Sequence, residues 1–261
     1  MISAIEHSFD KSKVFLPVIH YYDDEQFWKN IEIAYKYTDG VWLITQGRGM
    51  YSDKLCRFAE EMRGKLPTTF FIGVNFLRDN IHAFELVEKM GCVFDGLWTD
   101  NGYVYDDNRS IVEADNFARL IEESDWNGLY FGGTAFKYQR KVFFLEYVTR
   151  VACDYMHVVT TSGPGTGQSA NIEKIKLMRK VIDDHSGYST LSINDNTPQQ
   201  YRPGFALASG VTVENIGTYL PYVDAFMVGT GIEKEFGILD EDKVREMSRL
   251  IYEYRCSRIG T

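Results

Sequence analysis

Apolar and polar positions come in blocks along this chain. Short runs rich in β-branched and aromatic residues recur: VFLPVI (14–19), GVWLIT (40–45), TFFIGVNF (69–76), DGLWTD (95–100), GLYFGG (128–133), MHVVTT (156–161), GFALAS (204–209) and DAFMVG (224–229). Each is followed by a polar turn and then by apolar residues at helical spacing. Most runs are apolar throughout, as expected of parallel strands covered on both faces. Phe27, Ile31, Ala34 and Tyr35 share one helical face, with Asp23 or Asp24 as its cap. Ile172, Ile175, Met178 and Ile182 form a second stripe, and Val244, Met247, Ile251 and Tyr254 a third that starts near Asp240. Further helices fit near 53–63, 79–90, 113–123, 139–152 and 213–219.

Strand then helix, eight times in 261 residues, predicts a single (β/α)8 TIM barrel spanning 1–261. A doubly wound open sheet is the alternative, but it usually has fewer strands or a second domain. No linker or composition break divides the chain. The polar, turn-rich segment 186–204 interrupts the rhythm between the sixth helix and the seventh strand, and reads as a surface insertion or a subunit contact.

In a barrel the chemistry lies at the carboxyl ends of the strands. Three neighbouring strands end in glycine turns. The sixth runs Thr160-Thr161-Ser162-Gly163-Pro164-Gly165-Thr166-Gly167, the seventh Ser209-Gly210-Val211 and the eighth Gly229-Thr230-Gly231. Glycine lets backbone N–H groups turn into one concavity without a Cβ in the way, which suits an oxyanion. A short helical turn over Ile232–Glu235 is expected to add positive partial charge. The P-loop spacing and the dinucleotide fingerprint both fail here.

The other strand ends supply candidate chemistry. His20 follows the first strand, Gln46 and Arg48 the second, Asn75 ends the third, Asp100 and Asn101 end the fourth and Lys137 follows the fifth. Asp100, Lys137, Asn75 and His20 are the catalytic candidates, because a carboxylate and an amine on neighbouring strands can exchange protons with a sugar. The competing reading of an Asp–Lys pair is a structural ion pair. Gln46, Arg48, Asn101 and Thr160 are candidate substrate contacts, with Arg48 between two glycines able to clamp a phosphate. Trp42, Trp98 and Phe136 lie at or near strand ends, where most such aromatics fill the barrel and one can stack on a base.

Composition and charge narrow the classes. A net charge of −9 excludes a basic nucleic-acid platform. No apolar stretch reaches the roughly 18 residues of a membrane span. The N-terminal MISAIEHSFDKSK lacks a signal-peptide core, so a cytoplasmic location is expected. Cys56, Cys92, Cys153 and Cys256 are far apart and read as small hydrophobes in the core or on helices. His7, His82, His157 and His185 are dispersed and give no metal pattern, and no cofactor is indicated.

FIGVNFLRDN (71–80), GLWTDNGYV (96–104), GGTAFKYQ (132–139), TTSGPGTGQSANIEKIK (160–176), ALASGVTVENIGTYL (206–220) and DAFMVGTGIEKEFGILDEDKVREM (224–247) resemble the BtpA family, which includes the SgcQ-type members. The resemblance covers most of the chain from Val14 onward. It implies a barrel similar to the ribulose-phosphate-binding barrels and a phosphorylated sugar or nucleotide-like ligand. One member is linked to photosystem I biogenesis. FFIGVNF, GGTAFKYQ and the length of 186–204 depart from the family pattern. The expected function is an acid–base enzyme acting on a phosphorylated ribose or nucleotide, at a phosphoribosyl C–N bond or by a sugar-phosphate isomerisation or aldol step. The rival is a non-catalytic phospholigand sensor or assembly factor. A glycosidase-like barrel needs a second strand-end acid facing Asp100, and none stands out. A homodimer is expected only from how barrels of this kind associate.

Overall fold

A computed structural model describes residues 2–47, 49–186, 191 and 201–259. Eight parallel strands close into a barrel in sequence order: β1 (Val14–Ile19), β2 (Gly40–Ile44), β3 (Phe71–Asn75), β4 (Gly96–Thr99), β5 (Leu129–Gly133), β6 (Val158–Ser162), β7 (Gly204–Ala208) and β8 (Ala225–Val228). All eight apolar runs thus become strands.

Their side chains alternate between two cores. Phe15, Val41, Leu43, Ile72, Val74 and Leu97 face outward and pack under the helices. Leu16, Trp42, Phe71, Trp98, Phe131 and Met227 fill the barrel. Trp42 meets Phe71 and Phe131 edge-on at 5.3 and 4.8 Å between ring centres. The inward phase continues past the strand ends to His20, Gln46, Asn75 and Asp100, so a period of two delivers them to the mouth.

A collar at the amino end holds the register. The residue just before each even strand accepts an N–H from the second residue of the preceding odd strand. Asp39 Oδ2 takes Phe15 N at 2.8 Å, and Asp95 Oδ2 takes Ile72 N at 2.8 Å. His157 Nδ1 takes Tyr130 N at 2.9 Å, and Asp224 Oδ2 takes Phe205 N at 3.0 Å. The carbonyls of the same four residues accept the first N–H of the following odd strand, from Phe71, Leu129, Gly204 and Val14 in turn. Each collar residue therefore bridges two odd strands, and the four close a ring.

Below the collar, α1 (Ala4–Phe9) plugs the barrel, an element the apolar pattern does not signal. Ser3 caps it through Glu6 N, Ile5 is fully buried in the inner core, and Phe9 packs on Phe71 at 5.1 Å.

The outer helices are α2 (Asp24–Tyr37), α3 (Ser52–Lys65), α4 (Asn80–Met90), α5 (Asn108–Glu122), α6 (Leu145–Tyr155), α7 (Ile172–Asp183), α8 (Ile216–Tyr219) and α9 (Glu241–Ile259). Asp23, not Asp24, caps α2, and Tyr35 lies half exposed off the buried stripe. The helix expected over 139–152 begins at Leu145, because Asp106 accepts the N–H groups of Phe143 and Phe144 and holds the preceding chain as a loop. The helix expected at 213–219 shrinks to one turn, since Asn215 turns back to accept Thr212 N. The extra turn expected at Ile232–Glu235 lies earlier, as a 3-10 turn over Thr230–Ile232. Glu233–Glu235 instead forms β9, paired antiparallel with β10 (Ile238–Leu239). Cys56 and Cys153 are buried, but Cys92 and Cys256 are exposed. Most of the segment 186–204 lies outside the described residues.

Asp224 is the most heavily paired collar residue. Arg179, Arg202 and Lys13 reach it at 2.9, 3.3 and 3.3 Å. Burial works against its charge, but Arg179, Lys13 and Arg202 outweigh that and hold its pKa below the usual carboxylate value. Its stabilising contribution is full above the ordinary range and drains away as pH falls through the lowered pKa. Asp224→Ala leaves three cations without their buried partner and is expected to cost about 3–5 kcal/mol, a loss on the order of 10 °C in Tm. Thermal melting at pH 7 and pH 3 checks this, with the gap between native and variant chains narrower at the lower pH.

Candidate functional site

The three glycine turns meet. A Cβ at either Gly163 or Gly210 would overlap the Gln168 carbonyl oxygen, so the β6 loop is gripped between its own start and the β7 turn. Gly210 also needs φ +74°. A Cβ at Gly231 would overlap the Val211 carbonyl, which sets the β8 turn against the β7 turn. Gly167 N donates to Ser209 Oγ at 3.2 Å, and Ser209 Oγ donates to Gly165 O at 3.3 Å. Ser209 itself sits at φ +78°, a strained value for a residue with a side chain.

These turns border a cavity of about 40 Å³ at the barrel mouth. Its lining includes the turn residues Ser209, Gly210, Gly229, Thr230 and Gly231 together with His20, Gln46, Lys137, Thr166 and Trp98. A water needs roughly 10–15 Å³ by this measure, so the space fits a group of about three water volumes. Among the described residues, the N–H groups of Gly210, Gly229, Thr230 and Gly231 donate to no protein acceptor. Those of Thr230 and Gly231 are the free first donors of the 3-10 turn.

His20 is buried at the end of β1. Its Nδ1 lies 2.8 Å from Glu233 Oε1 on β9, and its ring stacks on Phe236 at 4.6 Å. A Cβ at Gly229 would come within 2.8 Å of His20 Cε1, so the β8 turn abuts the imidazole. Lys137 Nζ donates to Thr166 Oγ1 at 3.3 Å, and Lys137 N donates to Ser162 Oγ at 2.8 Å, tying the β5 and β6 loops together.

A second pocket of about 320 Å³ opens at the ends of β3 and β4, lined by Asn75, Arg78, Asp100, Asn101 and Tyr103 among others. Asn75 Nδ2 donates to Asp100 Oδ1 at 2.9 Å. Burial raises the Asp100 pKa, while Asn75 and the charge of Lys137 oppose the rise. Asp100 and Lys137 make no ion pair within 4.0 Å among the described residues; Asn75 holds the Asp100 carboxyl, and Lys137 Nζ is engaged by Thr166.

The sequence candidates therefore divide. His20, Gln46, Lys137, Thr166, Ser209, Gly210, Gly229, Thr230 and Gly231 gather at the small cavity, and Asn75, Asp100 and Asn101 at its neighbour. Ser162, Gly163, Gly165 and Gly167 build the β6 loop rather than line the cavity. Thr160 is fully buried in the wall, and Arg48 lies outside the described residues. Trp42, Trp98 and Phe136 are packed, at 0%, 4% and 4% exposure, and the cavity that Trp98 borders, at about 40 Å³, is too small for a base.

Sequence reasoning missed two residues. Glu233 sits in GIEKEFG, and an acid two residues beyond the last strand-end glycine was the available signal. Lys174 on α7 donates to Ala135 O at 2.6 Å and Ser162 O at 3.0 Å, binding the β5 and β6 ends. Burial lowers its pKa to about 8. A larger cleft of about 810 Å³ lies at the amino end, but Asp39 and Asp95 in its wall are engaged in the collar.

No protein-family profile and no curated protein matches the chain. Solved structures do. Phosphoribosyl anthranilate isomerase from Thermus thermophilus superposes with a TM-score of 0.60 at 13% identity, over 93% of this chain and 100% of that one. The same enzyme in complex with reduced 1-(o-carboxyphenylamino)-1-deoxyribulose 5-phosphate gives 0.58 at 13%, over 92% and 99%. A mutant tryptophan synthase α-subunit from Pyrococcus furiosus gives 0.57 at 11%, over 96% and 99%. The likeness is one of fold: this chain is a (β/α)8 barrel of the same architecture. No helix among the described residues is long and apolar enough to cross a membrane.

Gly210→Ala tests the loop contact. The added methyl meets the Gln168 carbonyl at a positive φ, and the expected cost is about 1–3 kcal/mol. Urea unfolding measures it, and a change of a few tenths contradicts the contact.

Proposed function

We propose that this chain is a phosphate-binding barrel enzyme acting on a phosphorylated ribose or nucleotide-like small molecule. The observation that carries the reading is the set of unpaired N–H groups at Gly210, Gly229, Thr230 and Gly231 around a cavity of about 40 Å³. Gly210 is buried and the other three line the same cavity, and an oxyanion with several lone pairs is a group that accepts from all four together. The small volume suits a phosphate and leaves the rest of the ligand to the pocket at β3 and β4. The isomerase with the same fold, which binds a deoxyribulose 5-phosphate derivative, supports this ligand class. So does the resemblance of 160–176 and 206–220 to the BtpA family.

Asp100 and Lys137 carry the acid–base work. Burial favours the protonated form of Asp100, which suits a proton donor, and Asn75 fixes the carboxyl toward the pocket. Lys137 reaches the cavity from the β5 loop and is placed to balance ligand charge. Since Trp42, Trp98 and Phe136 are packed, the aromatic argument for a C–N bond reaction falls away, and a sugar-phosphate isomerisation or aldol step stands level with it. A non-catalytic sensor would keep the anion site and show no turnover.

Ribose 5-phosphate at a hundred times its Kd is expected to raise Tm by roughly 5–10 °C, while ribose does nothing. Equal effects of the two ligands would remove the phosphate site. Asp100→Asn separates enzyme from sensor. Ionising native Asp100 costs stability, because its pKa is raised in the fold. That cost is absent below the ordinary carboxylate range and grows as pH rises through the raised pKa. The variant is therefore expected to melt above the native chain at pH 7 and level with it at pH 3, with turnover on a phosphosugar panel down by roughly 10²–10⁴. Product formation undiminished in the variant would dismiss Asp100.

A further inference from the structure

One wall of the small cavity holds a buried His–Glu pair. His20 directly follows β1 and Glu233 opens β9, 213 residues later, and both are at least nine-tenths buried. Glu233 Oε1 accepts from His20 Nδ1 at 2.8 Å and from Gly237 N at 3.2 Å. Its Oε2 is buried with no partner among the described residues. The hairpin that carries it is pinned by Asn30 of α2, whose Nδ2 donates to Gly237 O at 2.7 Å and whose Oδ1 accepts Leu239 N at 3.1 Å. Phe236, on the same hairpin, covers the imidazole face. This is a large investment in the orientation of one ring.

We infer that His20 and Glu233 form a proton-coupled anion clamp, in which Glu233 holds the Nδ1 proton and the imidazolium donates its Nε2 proton to the oxyanion bound by the glycine turns. The inference rests on the phosphate-site reading above and adds a residue pair and a pH dependence to it. Size decides the role. A cavity of about 40 Å³ is filled by the oxyanion itself, so its occupant touches the lining His20 directly. Nδ1 is engaged, which leaves Nε2 as the nitrogen that serves the cavity. With the imidazole neutral, Glu233 is a buried carboxylate facing a neutral ring; with imidazolium, the pair is neutral and one N–H is directed at the guest.

The charged groups nearby agree. Lys137 faces the cavity from the β5 loop, and Lys243 of α9 donates to the Glu233 carbonyl at 2.9 Å. No carboxylate lines the cavity among the described residues. Glu233 is thus a positioning residue, acting on the anion through His20.

Sulfate is the probe that isolates the protein, because it stays dianionic from pH 5 to 9 while inorganic phosphate changes charge. In calorimetry, native-chain affinity for sulfate is expected to fall roughly tenfold or more between pH 6 and pH 9, the worth of one charge-assisted hydrogen bond. His20→Gln is expected to flatten that dependence. Glu233→Gln is expected to weaken binding at pH 6 and move the fall to lower pH, and Lys137→Met to lower affinity while keeping the slope. Should the variants fold poorly, ¹⁵N spectra of the native chain still decide: at pH 6.5, saturating sulfate should drive both His20 ring nitrogens to the protonated signature. A flat native profile, a Glu233→Gln profile matching the native one, or a His20 ring left neutral by saturating sulfate overturns the clamp. Absence of binding by either sulfate or inorganic phosphate at any pH would instead overturn the phosphate site itself.

Discussion

Strand register is the constraint on which the rest of this barrel depends, and a ring of four residues holds it. Asp39, Asp95, His157 and Asp224 each give a side-chain acceptor to one odd strand and a carbonyl to the next. A slip of one residue would turn every inward side chain outward. The inner core would lose Trp42, Trp98 and Phe131, and the mouth would lose His20, Gln46, Asn75 and Asp100, because all belong to the same inward phase. The amino end therefore determines what the carboxyl end presents. Its carboxylates are matched by Lys11, Arg63, Arg179 and Arg202, as expected of a face devoted to stability.

The carboxyl end is built the opposite way. Ser209 is held at positive φ, Asp100 is half-buried with its pKa raised, Lys174 is half-buried against carbonyls, and, among the described residues, Lys174 has no counter-ion and one Glu233 oxygen no partner. Each feature costs stability, and all lie at the end of the barrel that carries the β7 and β8 turns. Destabilising features gathered at one end of a barrel whose other end is well paired are the expected mark of a working face. The glycines serve first to bring the loops into contact: Gly163 and Gly210 close on Gln168, and Gly231 closes on Val211. The free amides are a consequence of that close approach.

Much of this was legible in the chain. Eight apolar runs all became strands, since continuous apolar strands followed by helix-period segments admit few other folds. The strand-end candidates gathered where inward alternation carries them. What escaped notice depended on contacts distant in sequence. The α1 plug is six residues long, too short to show a period, and is set by burial of Ile5. The late start of α6 follows from Asp106 capturing two amides some 37 residues away. Glu233 looked like part of a short helix and became the partner of His20, which lies 213 residues earlier. Even the collar left a trace, with Asp39, Asp95 and Asp224 each standing directly before an even strand, but His157 in the fourth place hides the repeat.

The central claim is that backbone amides from separate strand ends converge on one oxyanion. Backbone ¹H–¹⁵N NMR during titration with inorganic phosphate tests it most directly. The account predicts that the amides of Gly210, Thr230 and Gly231 move downfield together and saturate with one common Kd. Phosphate binding that leaves these three resonances in place, or that shifts them with unrelated affinities, would contradict it.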